Sequence, residues 1–163
     1  MPRFRCRPVG LDFLETAPKR WSFAEPVDAA PEEVFAAIAD PTTWRRWFPG
    51  MTSGRYLNSA RTVGAVREAR QGPAVYVETI IAWDAPTRWV YRVDETSVPL
   101  AKALVEEWLV APDGAGSVVR WNFAIEPRPL FKAAGPIATT GMERVFRRAV
   151  GNLGRMLASP KRA

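Results

Sequence analysis

The sequence predicts an α+β fold of about six to seven antiparallel strands, with two short helices after the first strand and a long helix at the C-terminal end. Three observations carry this. Val27 to Gly50 reads as a strand end, a capped helix, a proline break, a short aromatic helix and a turn. A series of strand segments with turn residues between them follows. The chain then closes on an amphipathic helix from about Pro136 to Leu157.

Strand one covers Arg20 to Asp28, and Pro26, which has no amide proton to donate, demands an edge or a bulge there. Pro31-Glu-Glu suits the first turn of a helix, where a missing N–H costs nothing and acids face the positive end of the dipole. Val34, Phe35, Ile38 and Ala39 give that helix one apolar stripe. Asp40-Pro41 ends it, with Asp40 placed to cap a second helix from Thr42 to Phe48 that carries Trp44, Trp47 and Phe48 and stops at Pro49-Gly50.

Further strands are expected at Ser53 to Leu57, Val63 to Arg70, Val75 to Trp83, Trp89 to Thr96, Ala103 to Ala111 and Ser117 to Glu126. Gln71-Gly-Pro, Asp84-Ala-Pro-Thr and Asp113-Gly-Ala-Gly punctuate them, and the last makes a hairpin. In the closing helix Ala138, Met142, Val145, Phe146, Ala149, Leu153 and Met156 form one stripe, while Glu143, Arg144, Arg147, Arg148 and Arg155 face away. Residues 1–18 read as a Pro- and Arg-rich arm with one helical turn near Leu11-Asp-Phe-Leu-Glu, and residues 19–159 as a single domain.

With 163 residues, 47% hydrophobic and 25% charged, the balance is that of a soluble globular chain with a sizeable core. No apolar run approaches the roughly 18 residues of a membrane span, and the basic start lacks the apolar stretch of a secretory signal, so a cytoplasmic location is expected. Cys6 is the only cysteine, which excludes an intramolecular disulfide; placed in a loose basic arm, it reads as incidental. The absence of histidine removes the imidazole base, His-dependent triads and the usual zinc and facial-triad sites. No cofactor and no metal are expected.

The net charge of +6 gathers at the ends, in Arg3, Arg5, Arg7, Lys19 and Arg20 and in Arg144, Arg147, Arg148, Arg155, Lys161 and Arg162. No nucleic-acid motif accompanies it. The charge therefore reads as a solvated helix face and basic termini, with anionic membrane contact as the functional alternative.

The order of elements, with Ala30-Pro-Glu-Glu-Val-Phe-Ala-Ala-Ile-Ala-Asp-Pro-Thr-Thr-Trp-Arg-Arg-Trp-Phe-Pro-Gly50, Ile81-Ala-Trp-Asp-Ala-Pro-Thr-Arg-Trp-Val-Tyr-Arg92 and Gly116-Ser-Val-Val-Arg-Trp-Asn-Phe123, resembles the START/Bet v 1-like helix-grip superfamily, in its polyketide cyclase/dehydrase-like branch. The resemblance covers roughly residues 20 to 158. It implies a strongly curved sheet wrapped around the long helix, with an apolar cavity between them. Similar members carry lipids, quinones or hormones, cyclise aromatic polyketides, or bind partner proteins, and fold alone does not choose among these.

Seven tryptophans suit either a cavity wall or a filled core. Trp47 and Phe48 sit at the expected mouth. Alternation places Trp121 and Phe123 with Val119 and Ile125 on one face, and Tyr91 with Trp89 and Val93 on another. Trp108, Met142 and Phe146 complete the aromatic and apolar candidates. Tyr76 and Glu78 share a face; pointing inward they would offer a phenol and a carboxylate of raised pKa, and pointing outward they would be solvated. Glu68 and Glu106 could join that face, or pair with Arg67, Arg70 or Arg92 outside. Because Glu106, Glu107 and Trp108 are consecutive, one glutamate points inward or the strand is bulged.

The expected function is binding of a hydrophobic small molecule between sheet and helix. One alternative is a cofactor-independent cyclase or aromatase using Tyr, Glu and Arg in the same cavity, for which no local motif assigns a catalytic residue. Another is a protein or membrane interaction module.

Overall fold

A computed structural model describes residues 3–129 and 135–158, with side chains in the last helix from Thr139 onward. Strands β1 (Phe4–Arg5), β2 (Lys19–Val27), β3 (Met51–Tyr56), β4 (Val66–Gln71), β5 (Ala74–Asp84), β6 (Arg88–Thr96), β7 (Ala101–Asp113) and β8 (Gly116–Pro127) form one eight-stranded antiparallel sheet. Its main path is β2-β8-β7-β6-β5-β4-β3, with β1 added against β6. Helices α1 (Phe13–Thr16), α2 (Pro31–Ala39), α3 (Trp44–Trp47) and α4 (Gly135–Ala158) complete the chain. This is the helix-grip architecture, an open curved sheet closed by α2, α3 and α4 on one face.

Local chemistry accounts for the elements that set this shape. Pro26 lies in β2, which is an edge strand, so its missing donor breaks no ladder. Pro31 starts α2 and Glu32 and Glu33 occupy its first turn. The second short helix is tighter than expected, Trp44–Trp47 instead of Thr42 to Phe48. Asp40 holds the preceding turn, its Oδ1 accepting from the Thr42 amide at 2.9 Å and the Thr42 hydroxyl at 2.8 Å. Helix α4 buries Phe146, Ala149, Val150 and Leu153 against the sheet and exposes Arg144, Arg147, Arg148 and Arg155. Ala138, Lys161 and Arg162 lie outside the described side chains.

The largest departure from the sequence reading is the arm. The β6–β7 pairing runs only from Arg88↔Leu109 to Arg92↔Val105, and there the two strands part. Strand β1 enters the fork. Phe4 pairs with Thr96 and Arg5 with Glu95; the Cys6 amide donates to Asp94 on β6 and the Arg7 amide to Lys102 on β7. Arg7 is paired with Glu126 at 2.9 Å, and Arg128 donates to the Arg5 carbonyl at 3.2 Å.

The arm is thus an eighth strand instead of a loose segment. Cys6 is buried, and burial pushes its thiol above the ordinary range, the direction of low reactivity. Behind β1, Phe13 and Ala17 bury with Ala82, Val90, Ala103, Val105 and Ala124 in a small second core on the outer face.

Gly54 in β3 positions the site. A Cβ there would lie 2.9 Å from both Pro41 Cβ and Trp44 Cε3, so only glycine lets the Trp44 ring rest on the strand. Gly54→Ala is expected to cost about 1–3 kcal/mol in urea denaturation by overpacking. Gly151→Ala, in α4 with open space at its Cβ, is expected to add about 0.5–1 kcal/mol. Equal effects from the two substitutions would contradict this packing.

Candidate functional site

Inward-facing side chains of β4 to β8, with α3 and α4, line a cavity of about 360 Å³. Its wall is mainly aromatic and aliphatic. Of the residues that the sequence nominates, Trp47, Phe48, Tyr76, Glu78, Tyr91, Trp108, Trp121, Phe123 and Met142 line it. Phe146 does not. It is fully buried behind the wall, stacked on Trp121 at 5.9 Å between centroids and tilted on Trp108 at 6.0 Å, and so props the wall from behind. Trp44, Trp89, Arg67 and Glu106 also line the cavity. The half-buried members, among them Phe48, Met51, Leu100 and Met142, mark its more open side.

The polar groups converge on one part of the wall. Arg67 on β4 lies directly opposite Glu78 on β5, and Arg67 Nε donates to Glu78 Oε2 at 2.5 Å. The pair is buried, Arg67 at 2% and Glu78 at 4% exposure. Taking two such charges out of water costs several kcal/mol each, which their attraction offsets only with good geometry.

Here three rings add to the attraction. The guanidinium carbon sits 4.2 Å from the Trp44 ring centroid, 4.2 Å from Trp89 and 4.0 Å from Tyr91. Only Nε is bonded to an oxygen. Neither terminal nitrogen has a hydrogen-bond partner among the described residues, and Nη1 is fully enclosed. The indole N–H of Trp89 is likewise buried and unpartnered.

Glu106 is the inward one of the consecutive glutamates. Strand β7 keeps unbroken register with β8 from Ala103 to Asp113, so no bulge intervenes. Glu107 faces the other side, where it takes Arg88 at 2.7 Å and Asn122 at 2.7 Å. Glu68 also faces outward, bonded by Arg70 at 3.0 Å and near Arg55 and Arg3.

Two donors meet on one oxygen of Glu106: Tyr91 Oη donates to Oε2 at 2.5 Å and Trp121 Nε1 to the same atom at 2.8 Å. Oε1 has no partner among the described residues. Burial pushes the Glu106 carboxyl up to about 7; the Tyr91 bond opposes this and the Glu78 charge reinforces it. Burial also raises Glu78, against the pull of Arg67. Tyr76 is pushed up to about 12 by burial and by Glu106 and Glu78.

Arg67 is the residue that sequence reasoning placed wrongly, on the exposed face. The signal that could have found it is its spacing with Ala69 and Gln71, which share its side of β4, together with the cross-strand match to Glu78. Among the described residues, no group of three or more His, Cys, Asp or Glu side chains could hold a metal ion.

The family model described as polyketide cyclase/dehydrase and lipid transport matches residues 20–158, and the chain belongs to that family. An uncharacterised protein of Mycobacterium tuberculosis is 32% identical over 154 residues, spanning 88% of this chain and 90% of that protein. Among solved structures, a START superfamily protein from Mycobacterium smegmatis superposes with a TM-score of 0.70 at 13% identity, covering 85% of this chain and 96% of that one. Ara h 8.0201 superposes with a TM-score of 0.64 at 12% identity, covering 83% and 97%. At these identities the two structures establish the fold. Among the described residues, no helix is long and apolar enough to cross a membrane.

Two outcomes test the polar cluster. Arg67→Met leaves the Glu78 carboxylate buried without its partner and is expected to cost about 3–5 kcal/mol in denaturant unfolding. Adding Glu78→Met should recover most of that loss.

The second test is pH. The folded-state pKa of Glu106 lies above its ordinary 4.5, so the folded protein binds a proton that the unfolded chain releases. Its stabilising contribution is complete below about pH 4.5 and is lost as pH rises through about 7, roughly 3 kcal/mol in all. Unfolding curves of the wild type and Glu106→Gln should diverge over that window; parallel curves would mean that the carboxyl titrates normally.

Proposed function

We propose that the protein binds a hydrophobic small molecule, lipid-, quinone- or polyketide-like, in the cavity between sheet and α4. The observation that carries this reading is the aromatic and aliphatic cavity with a few polar groups gathered at one part of its wall. A cavity of this kind supplies affinity by removing apolar area from water, at about 25 cal/mol per Å², while its polar groups set orientation. Membership of a cyclase and lipid-transport family supports the same ligand class.

A second reading, cofactor-independent cyclisation or dehydration, is favoured by Glu106, whose carboxyl near 7 inside the cavity suits general acid–base work. Acceleration of deuterium exchange at the methyl group of acetylnaphthalene, lost in Glu106→Gln, would support it.

The binding reading is tested with N-phenylnaphthylamine, an uncharged apolar dye that fluoresces in dry surroundings. We expect saturable binding of one dye per chain. Val145→Trp, which fills the cavity from α4, should weaken it at least about tenfold, or about 1.4 kcal/mol. Dye binding unchanged by that substitution would place the apolar site elsewhere. Native mass spectrometry of detergent-free protein, followed by organic extraction, would identify the class of any retained molecule.

A further inference from the structure

Resting on the cavity-binding reading, we infer that the polar part of the wall is a carbonyl-oxygen site, in which the Arg67 guanidinium and the protonated Glu106 carboxyl jointly hold an uncharged, ketone- or quinone-type oxygen, so that ligand binding and proton binding are coupled.

Geometry on Glu106 sets the first half of the site. Both protein donors, Tyr91 Oη and Trp121 Nε1, converge on Oε2 and leave Oε1 unpartnered in a cavity-lining residue. An oxygen that already accepts two hydrogen bonds is the poorer place for a proton, so a neutral Glu106 carries its hydrogen on Oε1. There it can donate only to something in the cavity.

Arg67 supplies the other half. Its Nε is committed to Glu78, its terminal nitrogens have no oxygen partner among the described residues, and its plane is fixed by the rings of Trp44, Trp89 and Tyr91. Tyr91 links the two halves, its ring against Arg67 and its hydroxyl on Glu106. Nη1 is fully enclosed and out of a ligand's reach, so the guanidinium meets the cavity through its other terminal nitrogen, Nη2, to which a ligand oxygen supplies the missing acceptor.

Charge decides between a carbonyl and a carboxylate. Among the described residues the one cation lining the site is already matched by Glu78. A ligand carboxylate would add a negative charge beside Glu78 and Glu106, in surroundings where burial already penalises anions. A neutral oxygen meets no such opposition.

The groups that face Glu106 from neighbouring elements are Tyr91 on β6, Glu78 and Tyr76 on β5 and Arg67 on β4. The cavity-lining side chains described on α3 and α4 (Trp44, Trp47, Met142 and Val145) carry no charge. Among these groups Glu106 is pushed up to about 7, and burial raises Glu78 as well, against the pull of Arg67. Ionisation of Glu106 replaces the donor with an acceptor that repels a carbonyl oxygen.

Three bicyclic probes of similar size separate the possibilities, followed by tryptophan fluorescence: acetylnaphthalene, ethylnaphthalene and naphthoate. At about pH 6, acetylnaphthalene should bind about tenfold tighter than ethylnaphthalene, and should weaken about tenfold by about pH 8, while ethylnaphthalene stays constant. Glu106→Gln, whose amide keeps the Tyr91 and Trp121 bonds and offers a permanent N–H, should bind acetylnaphthalene with no pH dependence. The pair Arg67→Met with Glu78→Met should lose the ketone preference yet still bind ethylnaphthalene, which certifies its fold.

Equal binding of ketone and hydrocarbon, tightest binding of naphthoate, or pH-independent ketone binding by the wild type would each overturn the inference and leave the cavity reading standing. Binding of none of the three would overturn the cavity reading itself.

Discussion

A guanidinium cannot be taken out of water alone, and the inner wall of this protein is arranged around that constraint. Arg67 is held by Glu78 on the neighbouring strand and by three aromatic rings around it. Each partner brings its own requirement. Glu78 must face inward, which fixes the register of β5 against β4. Trp44 must come close against β3, which requires a glycine at position 54 and a tight turn held by Asp40. Trp89 and Tyr91 must share the inner face of β6, which sends Val90 outward to the second core. Tyr91 then reaches Glu106 on β7. The aromatic wall is thus also the solvation shell of a buried charge.

The same arrangement explains why the cavity is not packed shut. Rings that surround a cation are oriented by it and by one another, here edge to face, as between Trp44 and Trp89 or Trp89 and Tyr91. Rings held in this way are not free to collapse into the space beside them. Phe146 reinforces them from α4 without entering the cavity.

Much of the fold was legible in the sequence because it is written in local chemistry. Pro31 with its following acids, the Asp113-Gly-Ala-Gly hairpin and the alternation of Val119, Trp121, Phe123 and Ile125 each specify structure within a few residues, and each element lies within a few residues of its expected bounds. The aromatic part of the cavity was legible for the same reason. The polar part was only half so. Glu78 and Glu106 could be nominated by alternation, but their inward sense depends on pairing partners many residues away. Arg67 reads as solvent-facing because an arginine usually is, and only a carboxylate on the neighbouring strand and three rings from two other elements, α3 and β6, reverse that. Strand β1 was hidden because its partner is a gap in the sheet, and a gap has no sequence signature.

That gap bears on how the chain acquires its structure during synthesis. Strand β1 has no partner until β6 has been made, and Arg7 waits further for Lys102. Strand β2 pairs only with β8, whose residues follow Gly116. The segment from β1 to β2 is therefore made ahead of its sheet partners, while β3 to β7 are each neighbours of the next strand in sequence. Its Arg and Pro residues keep such a waiting segment soluble and resistant to pairing with other chains. Strands β1 and β2 thus join the sheet after strands that are made later than they are, β2 last, once β8 is complete.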